Sequence, residues 1–439
     1  MTLPVNILQA VATYSDPSLM YLENLNCFIA TLNHEYKNFQ DRPANLGDTI
    51  NVKLPTRSTA SAGLVANFFG AQERLVPLIC DQSANSSMAF DTQDFIFNAE
   101  KYMKEFGMSR MEELSAQIEA NVAQNADSSV PIYTVNDQGQ SVPTGGLHTE
   151  SGPYRFFDAT QNGLTSFTQL ADINYRFRNY GSAAGELKVY LDDESPVQIT
   201  GSGLNQFVQD RNEEIAMSWD LGTYKGARAK YYKSNLLKTH ISGTLGQNST
   251  TLTLVTVDDT TGNNVTTLTF SGAGTGTVNA GDVGQFIPTT GFNDMRFLTF
   301  IGHVPCNQPV QVRALANATA SGGNITVSVI GNGTGAGLNW AGGVNQNLNQ
   351  PLEPGMQFQF VGNHRAAIVV AGDAFYMAMP RLPDEEPYPT SVAVSKDTGA
   401  SLRLYYGSRF AQNFRGMVND CLWSSLAVPE YTMRICLPA

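Results

Sequence analysis

The chain has 439 residues, 15% of them charged, with a formal net charge of −12. That length makes two or three domains with separate cores, and the acidic balance argues against whole-chain nucleic-acid binding because it repels a polyanion. Five scattered cysteines (Cys27, Cys80, Cys306, Cys421, Cys436) form no C-x-x-C pair, which speaks against a disulfide framework or zinc site and fits a reducing compartment.

Residues 1–15 carry no charge and hold Val5, Ile7, Leu8 and Val11, which predicts a short arm that docks elsewhere. Asp16-Pro17 predicts a helix start. Leu19, Leu22, Leu25, Ile29 and Leu32 then mark one apolar face. Gly47 to Pro55 reads as a turn and an alternating strand, with further strands near 75–80 and 86–90. Between the first two lies a polar, Gly-containing stretch, Thr56 to Arg74, holding Phe68 and Phe69. Two strands around such a tip predict an extended loop.

Ser109-Arg110-Met111-Glu112 reads as a capping box opening a helix, with Met111, Leu114, Ile118 and Val122 as its apolar stripe and Glu112, Glu113, Gln117 and Glu119 facing water. Helices are expected near 164–180 and 204–217, with a strand at Leu187 to Leu191 between them.

The composition then changes. Residues 241 to 350 hold six charged side chains (Asp258, Asp259, Asp282, Asp294, Arg296, Arg313), no lysine, and 18 of the 39 glycines. Leu252 and Leu254, Leu268 and Phe270, and Ile325, Val327 and Val329 alternate with threonine or serine, the period of half-buried strands. Such a switch in mid-chain predicts one domain inserted into another. Closing its sheet into a barrel would remove edges that so few charges leave unprotected. Afterwards come a strand-rich segment from His364 to Met379, a Pro-rich turn from Arg381 to Pro389, and strands near 402–406 and 431–437.

The order of these parts resembles the major capsid proteins of tailed bacteriophages, in the branch that carries an inserted β-barrel domain. The likeness rests on Gly47 to Pro55; Glu73 to Phe90 with its L-x-C-D-Q core; Gly222 to His240; Ala280 to Val283; Asn363-His364-Arg365 to Pro380; and Val428-Pro429-Glu430 to Leu437. It implies an α+β chain with the Hong Kong 97-type capsid fold. Residues 1–45 would form the N-terminal arm and helix, 46–90 the E-loop, and 91–140 the P domain with its spine helix. The A domain and a linker would occupy 141–240, the inserted barrel 241–350, and 351–439 would return to the A and P domains.

Individual residues give little sign of chemistry. His34, His148, His240, His303 and His364 stand alone, without an H-x-H or H-E-x-x-H arrangement. Gly331 to Gly337 lacks the Lys-Ser/Thr of a phosphate loop and has no helix behind it. Asp192-Asp193-Glu194 and Asp384-Glu385-Glu386 could hold calcium, but each lies beside a proline and reads as a solvated loop. The basic run of Lys225, Arg228, Lys230, Lys233 and Lys238, interleaved with Tyr224, Tyr231 and Tyr232, could bind nucleic acid. In the family order it is a linker strand with structural contacts.

The resemblance therefore implies a structural protein with no enzymatic role and no cofactor. It would self-assemble into hexamers and pentamers of an icosahedral shell, with a scaffolding protein and a portal as partners. The shell would enclose double-stranded DNA without specific binding and without a membrane, in a virion assembled in the host cytoplasm. Arg57, Phe68, Phe69, Arg74, Asp384, Glu385 and Glu386 are the expected inter-subunit contacts. Some shells of this fold are cross-linked through an E-loop lysine; here Lys53 lies in the first strand, so non-covalent assembly is expected. A β-rich carbohydrate-binding or adhesin-type virion protein is the rival, supported by the Asn/Thr/Gly-rich insert and Trp340.

Overall fold

A computed structural model describes residues 6–34, 49–53, 75–80, 82–91, 107–127, 132–135, 141–144, 154–181, 186–201, 223–224, 229–234, 236–237, 239–259, 265–289, 295–333, 338–340, 346–372, 374–385, 388–409 and 414–439. In chain order the first elements are α1 (Asn6–Leu25), α2 (Cys27–Thr31), β1 (Thr49–Lys53), β2 (Leu75–Ile79), β3 (Gln82–Asp91) and α3 (Met108–Asp127). Then come β4 (Ile132–Val135), β5 (Ser141–Thr144), β6 (Phe156–Asp158), α4 (Phe167–Asn179), β7 (Leu187–Leu191), α5 (Glu194–Gly201), β8 (Thr223–Tyr224), β9 (Ala229–Lys233) and β10 (Thr239–His240).

The low-charge region holds α6 (Thr244–Gln247), β11 (Thr251–Asp258), β12 (Val265–Gly274), β13 (Thr277–Val278), β14 (Val283–Ile287), β15 (Arg296–Leu298) and β16 (Pro305–Pro309). It continues with β17 (Gln311–Arg313), β18 (Ala318–Thr319), β19 (Gly323–Gly333), β20 (Leu338–Asn339) and β21 (Gln357–Phe360). The chain ends with β22 (His364–Ala371), β23 (Phe375–Ala378), β24 (Thr390–Val394), β25 (Ser401–Arg409), β26 (Phe414–Ala427) and β27 (Thr432–Pro438).

The chain divides into two compact units. The first comprises Met1–Asn51, Pro77–Ala123 and Phe375–Leu426. Its sheet runs β23-β26-β25-β24, with β3 pairing the other side of β26 from Gln82↔Trp423 to Asp91↔Phe414. The stripe of α3 is buried as expected at Met111, Leu114, Ile118 and Val122. Two expectations fail here. Helix α3 begins at Met108, so Ser109 lies inside its first turn rather than capping it. Glu119 is buried, not solvated, and its Oε1 accepts from the Cys27 thiol at 3.4 Å.

Helix α1 also departs from the sequence reading. It already runs from Asn6, with Pro17 inside it, so the helix starts within residues 1–15 and not at Asp16-Pro17. Leu19, Leu22, Ile29 and Leu32 are buried, but Leu25 is exposed. The helix stops there because Asn26 interrupts it. The Asn26 side-chain oxygen accepts from the Phe28 and Ile29 backbone N–H groups, each at 3.1 Å, and starts α2. Its amide donates to Ser115 O of α3 at 3.1 Å.

The second unit comprises Val52–Val76, Gln124–Ala374 and Ala427–Ala439. Its first sheet runs β6-β27-β22-β7-β9-β8, with β10 beside β22. Central β22 is buried at every position but Arg365, the continuous apolar run of a strand covered on both faces. The chain leaves this sheet after His240 and returns at His364, and these two residues are register partners.

Between them lies a second sheet of order β17-β14-β21-β11-β12-β19-β20. The predicted alternation holds: Leu252, Leu254, Leu268, Phe270, Ile325, Val327 and Val329 are all buried. Cross-strand pairs bring Leu268 against Val327 and Phe270 against Ile325. On the outer face Thr269 and Thr326 hydroxyls meet at 3.1 Å. The two ends of the sheet approach one another, since Leu315 N, just after β17, donates to Ser328 O of β19 at 2.9 Å. Phe270, Phe286, Phe358 and Phe360 fill the interior in stacked and edge-on pairs. Gly284 makes room for them, because a Cβ there would lie 2.3 Å from the Phe358 ring. Strand β21 lies between β14 and β11 in this sheet, so the expected border at residue 350 cuts off one of its inner strands.

Candidate functional site

Of the expected contact residues, Arg57, Phe68, Phe69, Arg74 and Glu386 lie outside the described residues. Asp384 and Glu385 are exposed in the turn ahead of β24. The turn is held from within the chain. Arg403, on β25, donates through Nη1 to Pro383 O at 2.7 Å and to Glu385 Oε2 at 3.1 Å. The same guanidinium grips its register partner Asp420 with two bonds, Nε to Oδ1 at 2.9 Å and Nη2 to Oδ2 at 2.5 Å. This fork geometry is the strong form of an ion pair. The Asp420 hydrogen bond raises the Arg403 pKa, and partial burial opposes it. Glu385 thus already has an internal partner, while Asp384 points to solvent.

The basic run is likewise engaged where it is described. Lys230 Nζ lies 3.0 Å from Glu186 and Lys233 Nζ 2.7 Å from Asp193. Tyr232 stacks on Tyr190, ring centroids 5.3 Å apart. Lys225, Arg228 and Lys238 lie outside the described residues. The acidic triplet beside them is not a free loop. Asp192 is buried, and its Oδ1 accepts from Ser195 N (3.1 Å) and Ser195 Oγ (2.6 Å) at the start of α5. Its Oδ2 lies 2.9 Å from Arg365 Nη1, and Arg365 Nη2 meets Glu194. Helix α5, invisible to the periodicity argument, is the reason.

The most developed polar geometry lies where the two sheets of the second unit join. Gln311, on β17, presents its side-chain amide to the edge strand β6. Its Oε1 accepts from Phe156 N at 2.8 Å and its Nε2 donates to Phe156 O at 2.9 Å. One side chain therefore replaces a missing strand partner. Nearby, Phe300 N donates to Tyr180 O at 2.6 Å, and Tyr180, from the end of α4, is part of the second sheet's hydrophobic core. The histidines that stand alone in sequence do not stay so: His240 and His364 meet, ring centroids 5.3 Å apart. Spacing in the sequence carries no sign of Gln311 or of this pair.

The surface also exposes apolar side chains at the turn between β15 and β16, where Ile301 is 74% and Val304 60% exposed. Among the described residues no group of three or more His, Cys, Asp or Glu could hold a metal ion. The thiols of Cys27, Cys306 and Cys421 are pushed up in pKa, each mainly by burial, which makes them weak nucleophiles. No described helix is long and apolar enough to cross a membrane.

No family model and no curated protein matches the chain. Solved structures do align with it over most of its length. It is similar to a structure from Mycobacterium phage Che8 (8% identity, 93% of this chain and 90% of that one, TM-score 0.41). It is also similar to the capsid of Ralstonia phage GP4 (7%, 91% and 86%, TM-score 0.40) and to a structure from Gordonia phage Cozz (13%, 94% and 87%, TM-score 0.39). Superpositions at these scores carry no argument of their own.

Proposed function

We propose that the chain is a shell-forming coat subunit of a tailed phage, with the Hong Kong 97-type fold and an inserted barrel domain. What supports the reading is the order of parts along the chain. The paired strands β1 and β2 flank a long connecting stretch, α3 follows as a long one-sided helix, and a mixed sheet is interrupted between His240 and His364 by a second, all-β sheet. These are the parts, in sequence, that the resemblance of Gly47 to Pro55, Glu73 to Phe90 and Asn363 to Pro380 leads one to expect.

The mechanism is geometric. Many modest contacts add up across a closed symmetric assembly. Arg57, Phe68, Phe69 and Arg74 in the connecting stretch, and the exposed Asp384 with Glu385 and Glu386, are the proposed contacts between subunits. Arg403 fixes the acidic turn through Glu385 and leaves Asp384 exposed beside it. The shell would enclose double-stranded DNA, with a scaffolding protein and portal as partners. Lys53 belongs to β1, and an amine carried on a strand ladder suits non-covalent assembly. Electron microscopy and sedimentation of the purified protein test the reading. Isometric shells that dissociate to monomer mass on a denaturing gel support it; soluble monomers or trimers that bind glycans overturn it.

A further inference from the structure

His240 and His364 mark the two points where the chain leaves the first sheet of the second unit and comes back, and each ring is bound by a different charge. His240 Nε2 lies 2.7 Å from Asp282 Oδ1. The other Asp282 oxygen accepts from the backbone N–H of Gly243 at 3.0 Å and of Asn279 at 2.8 Å. A carboxylate only accepts, so His240 donates through Nε2. His364 is bound in the opposite sense. Its Nδ1 is 2.7 Å from Gly362 O and must carry the hydrogen. Its Nε2 is 2.9 Å from Arg434 Nη1, and a guanidinium only donates. His364 is therefore held as a neutral ring with its lone pair on Nε2. Arg434 in turn reaches Gly281 O at 3.5 Å, in the turn that carries Asp282.

The surroundings offer little compensation for a second positive charge. His364 and Asp282 are 0% exposed, Arg434 3% and His240 8%. Asp282 is engaged by His240. A second guanidinium, Arg313, lies close, its Nη2 3.1 Å from where a Cβ on Gly281 would stand. The Tyr154 ring lies under both Arg434 and Arg313, and Cys436 follows Arg434 on the same face of β27. Arg365 alternates to the other face of β22 and pairs with Asp192 and Glu194.

We propose that this pair is an acid-sensitive latch: His364 fastens the base of the second sheet to the first only while its ring is neutral, and a proton on Nε2 releases it. That proton removes the acceptor Arg434 uses and sets an imidazolium against a guanidinium in a dry site. An opened junction frees His364 to take a proton near the ordinary histidine value of about 6.5, whereas the latched ring cannot. Opening then binds a proton, so the latch is complete above that pH and weakens about tenfold per unit below it. His240 offers no such release, since its bond to Asp282 is donated by Nε2–H. The acid response belongs to His364.

Hydrogen exchange on the full chain at pH 7.5 and pH 5.0, corrected for intrinsic rates, tests this. Protection of 240–246, 279–284 and 361–366 should fall by about tenfold or more at pH 5.0, while 401–407 in the first unit should not change. His364→Gln, which keeps an acceptor for Arg434 but cannot titrate, should abolish the fall; His240→Gln should retain it. Equal protection at both pH values, or a fall that survives in His364→Gln, overturns the proposal. If that variant does not fold, nitrogen-15 spectra of histidine-labelled wild-type chain replace it. A His364 ring that takes a proton while the junction stays protected overturns the latch, and one that stays neutral until protection is lost upholds it.

Discussion

Along the first sheet of the second unit, Lys230 pairs with Glu186, Lys233 with Asp193, and Arg365 with Asp192 and Glu194. On the second sheet the corresponding outward positions are threonines, as where Thr269 meets Thr326, and the interior packs aliphatic side chains around four phenylalanines in mutual contact. The contrast separates two ways of holding strands together. Exposed ion pairs fix register and geometry but add little free energy and are screened by salt. Buried aromatic area is stabilising, is not screened by salt as charges are, and is proportional to what is excluded from water. A charge-poor region is thus not a weak one; its cohesion lies inside.

The largest expected effect follows from where that interior ends. A fragment of residues 241–350 lacks Gln357–Phe360, the strand between β14 and β11, and with it Phe358 and Phe360. It should give a collapsed amide spectrum and no cooperative melt, whereas 241–363 should give dispersed signals. A cooperative melt of the shorter piece would show that the aromatic cluster is not the core. Within the full chain, Phe358→Ala removes a fully buried ring that touches Phe270, Phe286 and Phe360. It should cost about 3–5 kcal/mol in denaturant unfolding, unchanged between low and high salt.

Gln311→Ala probes the seam between the two sheets. It strips Phe156 of a donor and an acceptor at once, in a strand whose Phe156 is 0% exposed. Each buried backbone group left unsatisfied costs about 1–3 kcal/mol. The loss should show as faster exchange at residues 154–158, with β11 and β12 unaffected. If β11 and β12 lose protection together with 154–158, the seam and the second sheet are one cooperative block rather than two joined ones.

These elements also show what could be read in advance. The alternation of Leu252, Leu254, Leu268 and Phe270 was legible because a strand with one wet face repeats every two residues. Strand β26 was missed because only Gly416 to Asp420 alternate in burial, while Cys421 to Ala427 are buried on both faces, with Ser424 and Ser425 inside, so no period survives there. The stripe of α3 was legible; its start was not, because Ser109 followed by Glu112 matches a cap by pattern while the helix begins at Met108. Helix α1 was given too late a start because Pro17 fits a first turn, yet here it sits mid-helix. The proposed contacts Arg57, Phe68, Phe69, Arg74 and Glu386 fall outside the described residues. Gln311 and the His240–His364 pair are set by strand partners far apart in sequence, and their residue types alone announce nothing.

The smallest expected effect concerns the ion-pair side of the comparison, and Asp192 resolves it into two parts. One oxygen serves α5, taking the Ser195 N–H and hydroxyl; the other faces Arg365. Asp192→Asn keeps an oxygen for Ser195 and loses the charge, so it reports mainly the Arg365 pair. Arg365 still has Glu194, and its side chain is 27% exposed, which limits the loss to about 1 kcal/mol or less, smaller still in high salt. Asp192→Ala loses both and should add the cost of an unmade helix-start bond, about 0.5–2 kcal/mol, which salt does not screen. The difference between the two variants should therefore be the same at low and high ionic strength, while the effect of Asp192→Asn alone should shrink. If the difference between them shrinks with salt as well, the helix start is itself electrostatic, and the division between charge that positions and burial that stabilises fails at this residue.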